Sequence, residues 1–193
     1  MLQYIIKENG RHSVAELAQK AIDGGCTWLQ LHVPGMDDAE VRRIADELIP
    51  VCKDAGVILT IEDRPELAKE LSIHGVHLTG AYPGTARKVR EDLGPGAIVG
   101  TQVGDAQSIL SLRGADIDYV TLDPALSIEK DAEIIRAARL AGSDMPVVIA
   151  GNVTPDTLPA MLAAGANGVA ASDFITNADD PVQAVKELLA IKP

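Results

Sequence analysis

An aspartate and an arginine stand directly behind an apolar run in Val57-Ile58-Leu59-Thr60-Ile61-Glu62-Asp63-Arg64-Pro65, and Gly75-Val76-His77-Leu78-Thr79-Gly80 follows within one short helix. A run of this kind delivers its charged residues to the C-terminal mouth of a parallel sheet, where α/β barrels keep their chemistry. Asp63 has two uses there. It is a ligand for Mg2+, which takes one or two carboxylates together with substrate phosphates, or it caps the helix that starts at Pro65, with Arg64 solvated. Glu62 is a second carboxylate beside it, but adjacent strand residues point to opposite faces, so the two do not meet one metal.

Other candidates lie at the ends of other apolar runs. Gln30 and His32 share a face after Trp28, and two polar groups directed into a mouth indicate ligand contact. His77, between Val76 and Leu78, is either a core histidine or a catalytic one, and His32 or His77 would serve as a general base. Gly151 and Asn152, followed by Val153-Thr154-Pro155, form either a phosphate loop or a tight turn before a capped helix. Ser172 would join that loop through its hydroxyl and amide, while Asp173 beside it repels an anion. Lys130 either neutralises a phosphate or is a solvated residue at a helix start. P-loop, GxGxxG, GxSxG and HExxH patterns are absent, which removes the usual nucleotide, serine-hydrolase and zinc-protease chemistries.

The elements that must position these residues alternate along the chain. Eight short apolar runs, at residues 3–6, 28–33, 57–62, 75–78, 97–100, 119–122, 147–150 and 168–171, are each followed by a helical pattern. Ser13 with Glu16 and Asp37 with Glu40 fit capping boxes, and Asp105 caps a fifth helix. Thr154-Pro155 and Asp180-Pro181 each pair a cap with a proline at the first helical position. The units differ freely in sequence, which argues against a solenoid. They predict an α/β fold, a single (β/α)8 TIM barrel over residues 1–193, with a flavodoxin-like open sheet as the alternative.

Composition agrees with this. The chain has 193 residues, 47% hydrophobic and only 3% aromatic, so its core is built from Val, Ile, Leu and Ala. A formal net charge of -11 excludes a nucleic-acid surface, and any anionic ligand must find local positive groups. Cys26 and Cys52 lack CxxC spacing and read as buried thiols of a reducing cytoplasm. No apolar run approaches a membrane span. The expected protein is soluble and cytoplasmic, and homo-oligomerisation stays open.

Taken together, the motifs resemble the thiamine phosphate synthase family and its relatives, the TenI thiazole tautomerases, over nearly the whole chain. The pattern Q-L-R-x-K is similar to Gln30-Leu31-His32-Val33-Pro34, N-D-R to Glu62-Asp63-Arg64, and G-V-H-L-G to Gly75-Val76-His77-Leu78-Thr79. The later P-V-V-A-I-G-G-I resembles Pro146-Val147-Val148-Ile149-Ala150-Gly151-Asn152-Val153, and G-A-x-G-V-A resembles Gly165-Ala166-Asn167-Gly168-Val169-Ala170. The resemblance implies a barrel in which a pyrimidine diphosphate, held with Mg2+, loses pyrophosphate and is captured by the nitrogen of a thiazole phosphate. It implies Asp63 as metal ligand, Asp63, Arg64 and His32 at the catalytic centre, and Gln30, His77, Lys130, Gly151, Asn152 and Ser172 around a small phosphorylated substrate. The sequence departs from the pattern at five places. His32 and Pro34 replace two cations, Glu62 replaces an asparagine, Tyr82 stands at the second metal-binding aspartate, and Gln102 replaces the serine before the fifth helix. The tautomerase histidine falls at Gly104. A non-catalytic phosphate-binding or regulatory relative, and a TenI-like isomerase, a lyase or another enzyme acting on a small phosphorylated metabolite, are the alternative functions.

Overall fold

Short β-branched runs separated by capped helices leave each strand only one way to bury both faces, between a helix outside and seven other strands inside. The computed structural model describes residues 1–82 and 84–192, so the expected domain limit at residue 193 lies outside them. Strands β1 (Leu2–Ile6), β2 (Trp28–Leu31), β3 (Ile58–Glu62), β4 (Gly75–Leu78), β5 (Ile98–Val103), β6 (Tyr119–Leu122), β7 (Val147–Ala150) and β8 (Gly168–Ala171) close in sequence order into a parallel barrel. Around it run α1 (Val14–Asp23), α2 (Asp38–Ala55), α3 (Pro65–Glu70), α4 (Ala86–Leu93), α5 (Ala106–Ser111), α6 (Ile128–Leu140), α7 (Leu158–Ala163), α8 (Asp173–Thr176) and α9 (Pro181–Ala190). This is a (β/α)8 TIM barrel.

The expected caps form at Ser13 and Asp37 as complete capping boxes, at Asp105 onto Ser108, and at Asp180 onto Gln183. One expected helix start moves. The Thr157 hydroxyl accepts from the Thr154 amide (2.9 Å) and donates to the Asn152 carbonyl (2.6 Å), so the turn satisfies itself and α7 begins only at Leu158. Two strand ends move as well. β2 stops at Leu31 because Pro34 has no N–H to carry the ladder onward. β5 runs on to Val103, where Gln102 and Val103 pair with Thr121 and Leu122.

Two cores result. Leu, Ile, Val and Ala side chains fill the layer between barrel and helices. Inside the barrel, Trp28, Tyr119, Val148 and Ala170 pack with Ile5, Ile58, Ile98 and Ala150, and the Trp28 and Tyr119 rings meet edge to face at 4.9 Å. Gly100 makes this possible, since a Cβ there would stand 2.1 Å from the Tyr119 ring. Cys26 and Cys52 are free and buried. Among the described residues no helix is long and apolar enough to cross a membrane.

Candidate functional site

Alternation along each strand determines which side chains reach the barrel axis. From β1 these are Gln3, Ile5 and then Lys7, from β2 Gln30 and His32, from β3 Glu62, and from β4 His77 and Thr79; they converge on a cavity of about 370 Å³ at the C-terminal mouth. Gly151, Asn152, Ser172 and Asp173 complete its rim on the β7 and β8 side.

The floor is a directed hydrogen-bond chain. Gln3 Nε2 donates to Gln30 Oε1 (2.9 Å) and to Tyr119 Oη (3.3 Å). Tyr119 therefore gives its own proton to His77 Nδ1 (3.1 Å), which leaves the His77 proton on Nε2, where it is donated to Thr121 Oγ1 (3.1 Å). This tautomer is assigned from the network. Burial pushes the His77 pKa down to about 4 and the Tyr119 pKa up, so both are neutral near pH 7. His77 thus lines the cavity with both ring nitrogens engaged. It shapes the floor and is not a free base.

The carboxylates divide between two faces, as adjacency requires. Glu62 points inward and meets His32 Nδ1, which orients the imidazole at the cavity wall. Asp63 turns away at a φ of 52°, and its two oxygens accept from the amide (2.7 Å) and the hydroxyl of Thr79. It does not cap α3, whose N-cap residue is Arg64 and has no side-chain cap bond. Arg64 reaches back to Asp38 and to the Met36 carbonyl (2.6 Å). Asp63 and Arg64 therefore line a smaller cleft of about 270 Å³ with Val33 and Pro34, and His32 and Glu62 form the wall that this cleft shares with the main cavity.

The expected magnesium ligand set does not assemble. Asp63 has both oxygens bonded to Thr79, Glu62 faces the other way, and no group of three His, Cys, Asp or Glu side chains is placed to hold a metal among the described residues. The protein places Asp63 alone as a carboxylate on that side, so a Mg2+ ion would depend on substrate phosphates for its remaining ligands, and no chemical step is derived through one.

Of the anion-binding candidates, Gly151, Asn152 and Ser172 share the cavity rim and Lys130 does not. Gly151 adopts a φ of 124°, and a Cβ there would stand 3.2 Å from the Pro124 carbonyl, so the β7 loop crosses close over the β6 loop at the rim. Asn152 lies beside it on the rim. The Ser172 hydroxyl donates to the Ile5 carbonyl (2.9 Å) and ties the exit of β8 to β1. Lys130 lies on α6, bonded to Glu133 (3.0 Å), and does not line the cavity. Among the described residues the one lysine or arginine that does so is Lys7, which pairs with Asp173 at 2.5 Å. Sequence reasoning missed Lys7 and Gln3. The signal was present in the spacing Gln3, Ile5, Lys7, one face of the first strand.

Comparison with known proteins agrees with this architecture. The family model described as thiamine monophosphate synthase matches residues 3–175. A thiamine-phosphate synthase of Bacteroides thetaiotaomicron is 32% identical over 99% of this chain and 97% of its own length. One from Natronomonas pharaonis is 36% identical over 91% of this chain and 86% of its own. Among solved structures, thiamine phosphate pyrophosphorylase from Pyrococcus furiosus superposes with a TM-score of 0.86 at 21% identity, covering 98% of this chain and 93% of that one, which bears on the fold. With the barrel, the mouth and full-length relatives in agreement, the chain belongs to the thiamine monophosphate synthase family.

Proposed function

We propose that this protein, as one domain over residues 1–193, performs the thiamine phosphate synthase reaction in the cytoplasm on small phosphorylated substrates. The thiazole nitrogen lone pair forms the new C–N bond to the pyrimidine methylene carbon, the C–O bond to pyrophosphate breaks, and that electron pair leaves on pyrophosphate. The observation that carries the reading is the convergence of Gln30 with Gly151, Asn152 and Ser172 on one cavity, together with full-length identity above 30% to thiamine-phosphate synthases. Gln30 offers its amide to the ring end of a substrate. The β7 and β8 loops seat the phosphate end. His32, oriented by Glu62, is the acid or base nearest the reacting atoms. Asp63 and Arg64 act as positioning residues that hold the loops after β2 and β4.

The test is an assay of purified protein with both precursors and Mg2+, with the Bacteroides thetaiotaomicron synthase alongside. Formation of thiamine phosphate supports the reading, and its absence while the reference enzyme turns over would sink it. One observation favours a second reading. Among the described residues the cavity wall carries Glu62 and Asp173 against one lysine or arginine, Lys7, a balance poor for a diphosphate, whose departure needs positive charge. A relative that binds a thiazole phosphate without turnover would show calorimetric binding of that compound and no product.

A further inference from the structure

The family pattern places its cations after β2, where this chain has His32 and Pro34, yet a cation still reaches the cavity from a different strand. β1 pairs with β8 in the register Leu2 to Val169 and Tyr4 to Ala171, so the residue that follows β1 emerges beside Ser172 and Asp173. That residue is Lys7, on the inward face with Gln3 and Ile5. We infer that Lys7 is the residue that holds the ligand's phosphate and that Asp173 is its exchangeable counter-ion, occupying the ammonium until an anion arrives.

Three observations carry this. Lys7 lines the cavity together with Gly151, Asn152 and Ser172, so a phosphate seated on those loops lies within its reach. The Ser172 hydroxyl already donates to Ile5, which leaves Lys7 as the charged donor on that side. The Lys7 and Asp173 side chains are 39% and 71% exposed, and ion pairs this open to water are held weakly. A phosphate monoester carries about −1.5 to −2 charge at neutral pH, so it competes well against one carboxylate for the same ammonium. Glu62 does not pair with the ammonium, because it ends β3, two strands away, and is bonded to His32.

The inference rests on the phosphate seat of the preceding section, and calorimetry on the full chain separates the two. Thiazole phosphate, the corresponding unphosphorylated alcohol and inorganic phosphate are titrated into wild type, K7Q, K7R and D173N, each first shown to be folded by its thermal transition. K7Q is expected to weaken thiazole phosphate by about tenfold or more while changing the alcohol by less than about twofold. K7R restores most of the affinity. D173N tightens the phosphate by about two- to fivefold, the range that release from an exposed ion pair allows. Wild-type affinity in K7Q overturns the inference and leaves the synthase reading standing. Lys7-dependent binding of inorganic phosphate with none of thiazole phosphate has the opposite result: the inference survives and the thiazole assignment fails. No binding of either phosphate by wild type overturns both.

Discussion

The two ends of this barrel use charge in opposite ways. At the N-terminal end Arg90, only 7% exposed, donates to the carbonyls of Asp116 (2.7 Å), Gly94 (3.1 Å) and Ala97 (2.5 Å) and to the Asp118 carboxylate (2.5 Å). Arg139 likewise closes on the carbonyls of Ser143 and Met145 and on Asn167, whose side-chain oxygen also accepts from the Val147 amide. Each guanidinium staples the loops that feed the strands, with most of its hydrogen bonds directed at backbone carbonyls. At the C-terminal mouth Lys7, His32 and Glu62 are partly exposed, each has one partner, and that partner is another side chain. Bonds of the first kind add stability and accept no ligand. Those of the second kind add little stability and can be exchanged, which is the division of labour between barrel faces expected of the fold.

The comparison breaks first at the bottom. R90A leaves the Asp116 and Ala97 carbonyls unmet, while Gly94 keeps the Ala97 amide, and each unmet group costs about 1–3 kcal/mol, so denaturant unfolding should show a loss of roughly 3 kcal/mol. A loss below about 1 kcal/mol would remove the claim that this end is the structural one.

Acid acts next, through the floor between the two ends. His77 has a folded pKa of about 4 against a usual 6.5, so between these values the unfolded chain binds a proton that the folded chain refuses. The stability tied to neutral His77 is present above pH 6.5 and is lost as pH falls toward 4, about 3 kcal/mol at full extent. Denaturant melts at neutral and acidic pH should give a steeper decline for wild type than for H77Q; parallel declines would show that this residue does not couple to folding. G100A drives a methyl into the Tyr119 ring and should cost about 2–3 kcal/mol, measured the same way. If its melting curve matches wild type, the floor is looser than the packing indicates.

The smallest effect is expected on the surface. K130Q should change stability by less than about 0.5 kcal/mol and phosphate affinity by less than about twofold, since its partner is the exposed Glu133. A tenfold loss of phosphate binding would return Lys130 to the site.

Much of this was legible before any coordinates. Eight runs with caps between them predict the barrel because the helix starts at Ser13, Asp37, Asp105 and Asp180 are local events, each settled by a side chain within three residues of the amide it meets. Gln30 and His32 on one face followed from strand period alone. The position of Asp63 did not follow, because the chain leaves the strand at that residue with a positive φ, and its partner Thr79 comes from the next βα unit. Lys130 looked well placed by proximity to the sixth strand, but the loop after β6 carries it onto the outer helix.

The sequence by itself determined the alternation of elements, the family, and the set of polar side chains that strand period turns toward the axis. Tertiary structure alone decided which of them share a cavity. That choice depends on register between strands far apart in sequence, as when β1 lies beside β8 and sets Lys7 against Asp173, with 165 residues between them. Such a contact exists only once the barrel closes, because closure is what makes the first strand and the last one neighbours.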